Sequence, residues 1–434
     1  MDERSLVAII GCTAVIVLML IRVPIAVSLG IVAIGGFGYL VGIDPALGIL
    51  IDSPIRTVTN FNFSVVPMFI LMGALVSVSG MSRELFRAAN AWVGHLPGGM
   101  AIATVFACGG FAAINGSSIA SAATMTHVAL PEMRRAGYDA GLAAGIVAAG
   151  GTLGIMIPPS VMFILYSILT DTDVASLFVA GIVPGLLAIA LYCVTILLIY
   201  RYRPKWLPRG ERAGMKERLE SMRDVWATAA LFIVIMGSIY GGLVTITEAA
   251  GLGVFGAFVI GFARRRLSWA QVVDALVESL RTSAAIFFIL IAAFLFQYFL
   301  AVTQMSQLLG DLLVSLPVGP LGVVIVILAF YIIAGMVIDE IAMVLLTIPI
   351  FFPIVTGLGF DPVWFGVLVV VTVEIGMIAP PVGIICFVMN NMVPDIGLVN
   401  IYKGAMPFVI ADLVWLALLI AFPMISLFLV QNMG

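Results

Sequence analysis

Residues 109–166 read GGFAAINGSSIASAATMTHVALPEMRRAGYDAGLAAGIVAAGGTLGIMIPPSVMFILY. The stretch is apolar enough for a lipid bilayer. It nevertheless carries the turn Asn115-Gly116-Ser117-Ser118, the pair Gly150-Gly151 and the pair Pro158-Pro159. Such residues release backbone carbonyls and amides from the helical ladder, and hydrocarbon offers those groups no partner. A cation or a polar substrate in a protein-lined cavity is the economical one.

The pattern returns. Pro131, Gly137, Asp139, Gly154, Pro158 and Pro159 match Pro353, Gly359, Asp361, Gly376, Pro380 and Pro381 at a constant offset (359 − 137 = 222). Asp173 and Asp395 keep it, and Gly181 and Pro184 match Gly404 and Pro407 one residue later (404 − 181 = 223). Helix breakers at matching positions of two halves are the mark of a transporter built from structural repeats.

Of 434 residues, 63% are hydrophobic and 10% charged, and the mean hydropathy is +1.23. Apolar runs of about 20 residues recur along the whole length, so the chain reads as an all-α polytopic membrane protein. The start MDERS places two acids before the first apolar run, unlike a cleaved signal peptide. Cys12, Cys108, Cys193 and Cys386 lie far apart in apolar segments, with neither metal spacing nor a disulfide framework.

Along the chain, residues 6–21, 23–41 and 63–81 read as spans, and 44–61 as an interfacial segment. Residues 82–95 form an amphipathic arm. Residues 98–132 are expected to make a re-entrant hairpin, followed by a span over 138–169 interrupted at Gly150-Gly151 and at Pro158-Pro159, then a span over 174–200. A polar loop over 201–223 separates the halves. The second half repeats the plan: spans 225–241 and 244–262, a basic arm 264–281, a span 283–302, an arm 304–314, a hairpin 316–355 turning at 335–340, a broken span 362–392 and a last span 396–429. This divides the chain into scaffold spans and arm (1–97), first repeat core (98–200), basic linker (201–224), second scaffold (225–315) and second repeat core (316–434).

Of the 20 Lys and Arg, all but Arg4 and Arg56 fall on one side of this topology. The positive-inside rule makes that side cytoplasmic and the N-terminus external. Five spans separate the hairpins, an odd number, so they open to opposite faces and the repeats are inverted.

The first turn, with Gly154, Ile157 and Pro159, collects short hydroxyl, amide and carbonyl oxygens suited to Na⁺. The second turn offers Gly335, Asp339 and Glu340 near Thr372, Glu374, Gly376, Ala379 and Pro381. Asp339 occupies the repeat position of Ser117 (339 − 222 = 117). Acids at membrane depth are costly and point to ion or proton coupling, and Asp339 is the leading candidate. Glu340 and Glu374 fit either coupling groups or protonated, hydrogen-bonded core acids. Glu248, in Thr245-Ile246-Thr247-Glu248, suits a helix cap. Asp412 reads as a structural polar contact, and His95 and His127 are isolated. No HExxH and no P-loop occurs, so the chain is expected not to be an enzyme.

The motifs IRVPIAVSLG, INGSSIASAATM, LPEMRRAGYD, AAGGTLGIMIPPS, TITEAA, GMVIDEIAM, PIFFPIVTGLGFDPVWFGVLVV and EIGMIAPPVG together span nearly the whole sequence. In them the chain resembles the DctM-like large permease subunits of tripartite ATP-independent periplasmic (TRAP) transporters. The resemblance implies a Na⁺-coupled importer in the bacterial inner membrane. Its expected fold is an inverted-repeat, elevator-type transporter with two re-entrant helical hairpins and two broken transmembrane helices. It implies a small DctQ-like membrane subunit and a DctP-like periplasmic binding protein as partners. The implied substrate is a small organic acid such as a C4-dicarboxylate, a sialic acid or another sugar acid. It also implies two Na⁺ sites, one at Asn115, Ser117, Gly154, Ile157 and Pro159, the other at Gly335, Asp339, Gly376, Ala379 and Pro381. Substrate is then expected near Ser118 and Asn390. Asn115 stands where related proteins can have Ser. A stand-alone ion- or proton-coupled carboxylate transporter or antiporter of the same architecture is the alternative.

Overall fold

Once the chain's backbone groups must be satisfied without water, helix is the economical solution, and all regular structure among the described residues is helical. The computed structural model describes residues 3–315 and 317–432. The first position expected for the second hairpin, Leu316, lies outside them, as do the first two and last two residues of the chain. Seven helices are long and apolar enough to cross a membrane among the described residues.

The first half opens with Glu3–Leu20 and Ile25–Val41, joined across Arg22-Val23-Pro24. Ile43–Thr59 follows, then Phe61–Val78 and the amphipathic Met81–Val93. Gly99–Asn115 and Ser118–Arg135 pack on each other across a two-residue turn, which is the first hairpin. Ala140–Thr152 and Val161–Thr170 form the first broken helix, and Val174–Tyr202 completes the half. Met215–Tyr240, Ile246–Ala263, Trp269–Thr303 and Met305–Val314 lead to the second hairpin, Gly319–Gly335 with Glu340–Gly357. The second broken helix is Pro362–Ile378 with Ile384–Met392, before Leu398–Ala421 and Met424–Gln431.

Four expectations need correction. The helix Ala140–Thr152 runs straight through Gly150-Gly151. These glycines make room instead: a methyl group on Gly150 would stand 2.6 Å from Cys108 Sγ, and one on Gly151 2.6 Å from Ala122 Cβ. The polar loop over 201–223 is partly helix, because Met215–Tyr240 carries Lys216 to Asp224 as a charged first three turns. The arm over 264–281 and the span over 283–302 are largely one 35-residue helix, started by the Ser268/Gln271 capping box. The last span ends at Ala421, where Pro423 separates it from Met424–Gln431. The expected cap at Glu248 is present: its carboxylate accepts from Thr245 N at 2.8 Å, and Thr245 Oγ1 accepts from Glu248 N at 3.3 Å.

The long helix Trp269–Thr303 packs on Ile25–Val41 and Val65–Val78. Its Phe299 ring fills the space above Gly11 and Gly36, where a methyl group on either would come within 2.4 Å of ring carbons. Glu84 of the arm, 8% exposed, holds Arg264 at 2.7 Å and Arg266 at 3.2 Å, tying the arm to the loop before the long helix.

The two repeat cores meet where Ala140–Thr152 lies against Leu398–Ala421. Contact there is backbone on backbone. A methyl group on Gly404 would stand 2.0 Å from the Gly141 carbonyl oxygen, and one on Gly145 would stand 2.0 Å from the Gly404 carbonyl carbon. Small residues let helices approach in a membrane, where packing replaces the hydrophobic effect between them. Gly404→Ala is therefore expected to cost about 1–3 kcal/mol through overpacking, seen as a lower melting temperature in detergent. Gly237→Ala, with open space around its Cα, is the matched control; equal melting temperatures would remove the close contact as a source of stability.

Candidate functional site

Each hairpin turn abuts the break in its own repeat's broken helix. In the first, Gly116 turns with φ +65° and Ser117 caps the outgoing helix by accepting from Ala120 N at 3.4 Å. Asn115 Nδ2 donates to Ser117 O at 3.4 Å and to Ser121 Oγ at 3.2 Å. Opposite lies the break. A methyl group on Gly154 would stand 2.6 Å from Ser117 O, and one on Gly116 would stand 2.9 Å from Pro159 O. Ile157 is half-buried in the same break. The sequence candidates Asn115, Ser117, Gly154 and Pro159 thus gather around one point, with the carbonyls of Ser117 and Pro159 drawn in.

The second turn repeats this with an acid in the hydroxyl's place. Asp339 caps its helix, accepting from Ile341 N at 3.1 Å and Ala342 N at 3.4 Å through Oδ1. A methyl group on Gly376 would stand 2.6 Å from the Gly335 carbonyl carbon and 3.0 Å from its oxygen. Gly383 N donates to Met336 O at 3.2 Å, fastening the break to the turn. Both breaks contain a cis peptide, Pro158-Pro159 and Pro380-Pro381. Gly335, Gly376, Ala379 and Pro381 therefore sit at the turn or in the break facing it.

Between the two turns and the long helix lies a cavity of about 220 Å³, lined by Asn115, Ser117, Thr124, Glu278, Thr282 and Glu340 among others. Its lining holds no lysine or arginine. The helices starting at Ser118 and Glu340 both begin at it, and helix N-termini carry partial positive charge. Of the residues expected to contact substrate, Ser118 is fully buried with its hydroxyl donating to Thr152 O at 3.2 Å, and Asn390 is half-buried on Ile384–Met392. Neither lines the cavity. A larger groove of about 1000 Å³, edged by Arg134, Arg203, Trp206 and Lys403, runs between Val174–Tyr202 and Leu398–Ala421, away from the turns.

Sequence reasoning missed the contribution of Glu278, Ser279 and Thr282 to this cavity. Glu278 and Ser279 lie in the stretch 264–281 expected as a basic arm, and Thr282 falls between that arm and the next expected span. Asp412, expected as a structural polar contact, is fully buried, as are Thr152 and Tyr192. The repeat offset itself pointed to Thr152, since 374 − 222 = 152 pairs it with Glu374.

The chain matches the family model described as "Tripartite ATP-independent periplasmic transporter, DctM component" over residues 12–425. It is 38% identical over 404 residues to the C4-dicarboxylate TRAP transporter large permease protein DctM of Pseudomonas aeruginosa, covering 91% of this chain and 94% of that one. It is 30% identical to the ectoine TRAP transporter large permease protein TeaC of Halomonas elongata (95% and 96%). It is 29% identical to the sialic acid TRAP transporter large permease protein SiaM of Vibrio cholerae (86% and 87%). Among solved structures, the YdaH transporter of Alcanivorax borkumensis shares the fold at TM-score 0.64 and 14% identity, covering 87% of this chain and 89% of that one.

The turn-on-break contact predicts a local effect. Gly376→Ala should push the second turn off its broken helix, because the new methyl group meets backbone rather than a movable side chain. Faster amide hydrogen exchange at residues 335–342 with unchanged exchange at residues 115–121 is the expected result. Uniform exchange across both turns would contradict it.

Proposed function

The chain belongs to the DctM-component family of tripartite ATP-independent periplasmic transporters, and we propose from that premise that its two turn-on-break sites bind Na⁺ to drive uptake. The protein is the large permease component, a multi-pass inner-membrane protein and not an enzyme. It works with a DctQ-like small membrane subunit and a DctP-like binding protein that hands over a small organic acid, so the stand-alone alternative falls away.

The observation that carries the sodium reading is the symmetric approach of Gly154 to Ser117 and of Gly376 to Gly335. It draws uncharged carbonyl oxygens and short side-chain oxygens together in surroundings without a basic group. Released carbonyls of this kind coordinate the driving ion in transporters with broken helices. Asn115, Ser117, Gly154, Ile157 and Pro159 surround the first ion. Gly335, Asp339, Gly376, Ala379 and Pro381 surround the second, where the Asp339 carboxylate adds a full negative charge.

The substrate anion lies in the cavity between the turns. Two helix N-termini and the bound Na⁺ attract it in place of an arginine. Ser118 supports this from behind by anchoring the first turn to Thr152, whereas Asn390, outside the cavity lining, is left without a substrate contact. The Pseudomonas relative's C4-dicarboxylate and the Vibrio relative's sialic acid set the substrate class as small carboxylates. The two repeats are inverted, the N-terminus is periplasmic, and the hairpins with their broken helices travel as one elevator body against the scaffold helices.

Uptake into proteoliposomes containing the small subunit and a cognate binding protein tests this. An inward Na⁺ gradient should drive uptake, and Asp339→Ala should reduce it to the level of empty liposomes. Uptake that follows a proton gradient instead, or an active Asp339→Ala variant, would overturn the sodium assignment.

A further inference from the structure

The groove between Val174–Tyr202 and Leu398–Ala421 has no part in ion binding at the turns. At about 1000 Å³ it is far larger than the cavity of about 220 Å³ between them. Its chemistry changes along its length. One end is basic, with Arg134 from the first hairpin, Arg203 just after Val174–Tyr202 and Lys403 near the start of Leu398–Ala421. Beyond that end the walls are apolar, with Leu191, Val194 and Leu198 on one side and Pro407, Ile410 and Val414 on the other. Val194, Leu198, Ile410 and Val414 are between 48% and 58% exposed. Thr195, on the same wall, donates its hydroxyl to the Leu191 carbonyl at 2.9 Å.

Positive charge is in excess at the basic end. Asp395 holds Arg134 at 2.6 Å, and the Asp139 carboxylate accepts from Leu142 N at 2.9 Å, capping Ala140–Thr152. Among the described residues no acid pairs with Arg203 or Lys403. The Arg203 guanidinium lies over the Trp206 ring at 4.3 Å, a stacking that leaves its N–H edge free to bond an anion. The Trp206 carbonyl accepts from Asp139 N at 3.1 Å, which fixes that segment to the groove. Ala140–Thr152 and Leu398–Ala421 both start at this end and add the partial positive charge of their N-termini. Tyr202 and Trp206 are aromatic residues of the kind found at a membrane–water boundary.

The length of the groove matches one leaflet. At 1.5 Å per residue, Leu191 to Tyr202 advances about 16 Å and Asn400 to Val414 about 21 Å. One leaflet of hydrocarbon is about 15 Å deep, half of the bilayer core. Basic groups at one end and apolar walls one leaflet long fit a charged head on a hydrocarbon chain. We propose that the groove binds an anionic phospholipid of the surrounding bilayer, its phosphate at Arg203 and Lys403 and an acyl chain along the walls. Basic pockets between transmembrane helices recognise phospholipid headgroups in this way. A small organic acid fits poorly, because the apolar walls offer no partner to its second polar end. An apolar partner helix would leave Arg203 and Lys403 without a counter-charge, which a phosphodiester supplies. Gly141 and Gly404 line the same groove, so the lipid lies along the seam and ties the two repeat cores together.

Binding needs neither Na⁺ nor transported substrate, so its failure is separate from failure of the sodium reading. The purified full-length chain in detergent is titrated with phosphatidylglycerol or phosphatidylcholine, and bound copies are counted by native mass spectrometry. One phosphatidylglycerol should bind in preference. Each basic group near an anionic lipid contributes about fivefold in affinity. Arg203→Gln with Lys403→Gln should therefore weaken that copy about 25-fold and leave phosphatidylcholine binding unchanged. Val194→Trp, which fills the apolar wall, should displace the same copy. Lys205→Gln with Arg212→Gln removes equal charge outside the groove and should change nothing. Equal affinity for the two lipids overturns the proposal, as does an equal loss in the Lys205 and Arg212 variant. A complex with the small subunit that holds no phosphatidylglycerol assigns the groove to a partner helix and also overturns it. If the groove variants do not fold, quenching of Trp206, taken as the quenching lost in Trp206→Phe, decides the matter. Brominated phosphatidylglycerol should quench it more than brominated phosphatidylcholine in vesicles, and equal quenching overturns the site.

Discussion

Everything distinctive in this protein follows from one constraint: inside hydrocarbon, a polar group must find its partner within the protein. Among the described residues, twenty α-helices satisfy most backbone groups locally. The exceptions are concentrated at two turns and two breaks, and each turn is set against a break. Glycine makes that possible, since any side chain on Gly154 or Gly376 would occupy the space where the carbonyls of Ser117 and Gly335 approach. The same economy recurs where Gly141, Gly145 and Gly404 bring the two repeat cores into backbone contact. The turn-on-break contacts and the seam between repeats thus use the same device, removal of Cβ, for different ends. At the seam it yields packing; at the turns it yields concentrated carbonyl oxygen.

Much of this was legible in the residues. Breakers are chemically unambiguous, and the constant offset between them placed both hairpins and both broken helices to within a few residues. Asn115, Ser117, Gly154 and Asp339 were recognisable because a polar or conformationally special residue inside an apolar run has few bland explanations. What could not be read depended on how far a helix continues. Gly150-Gly151 looks like an interruption in one dimension, whereas in three it is two flat spots facing Cys108 and Ala122. The stretch 264–281 looks in sequence like a separate basic arm. It continues without a break into the long helix and brings Glu278 and Thr282 to the cavity wall. Asp412 lay too far in sequence from Glu374 and Tyr192 for any periodicity to join them.

The departures from repeat symmetry carry as much meaning as the symmetry. A chain whose halves were identical would place two neutral, hydroxyl-lined turns around its cavity. Here Ser117, Ser118 and Thr152 have Asp339, Glu340 and Glu374 as their counterparts, so one half is neutral and the other acidic. A single acid at the second turn is enough to distinguish the two proposed cation sites by charge. The additional acids, like Asp412, are buried in the core, and among the described residues no basic residue pairs with them. Carboxylates placed there only for packing would be replaced by apolar side chains at a gain in stability, since an unpaired buried acid is among the most costly groups a fold can hold.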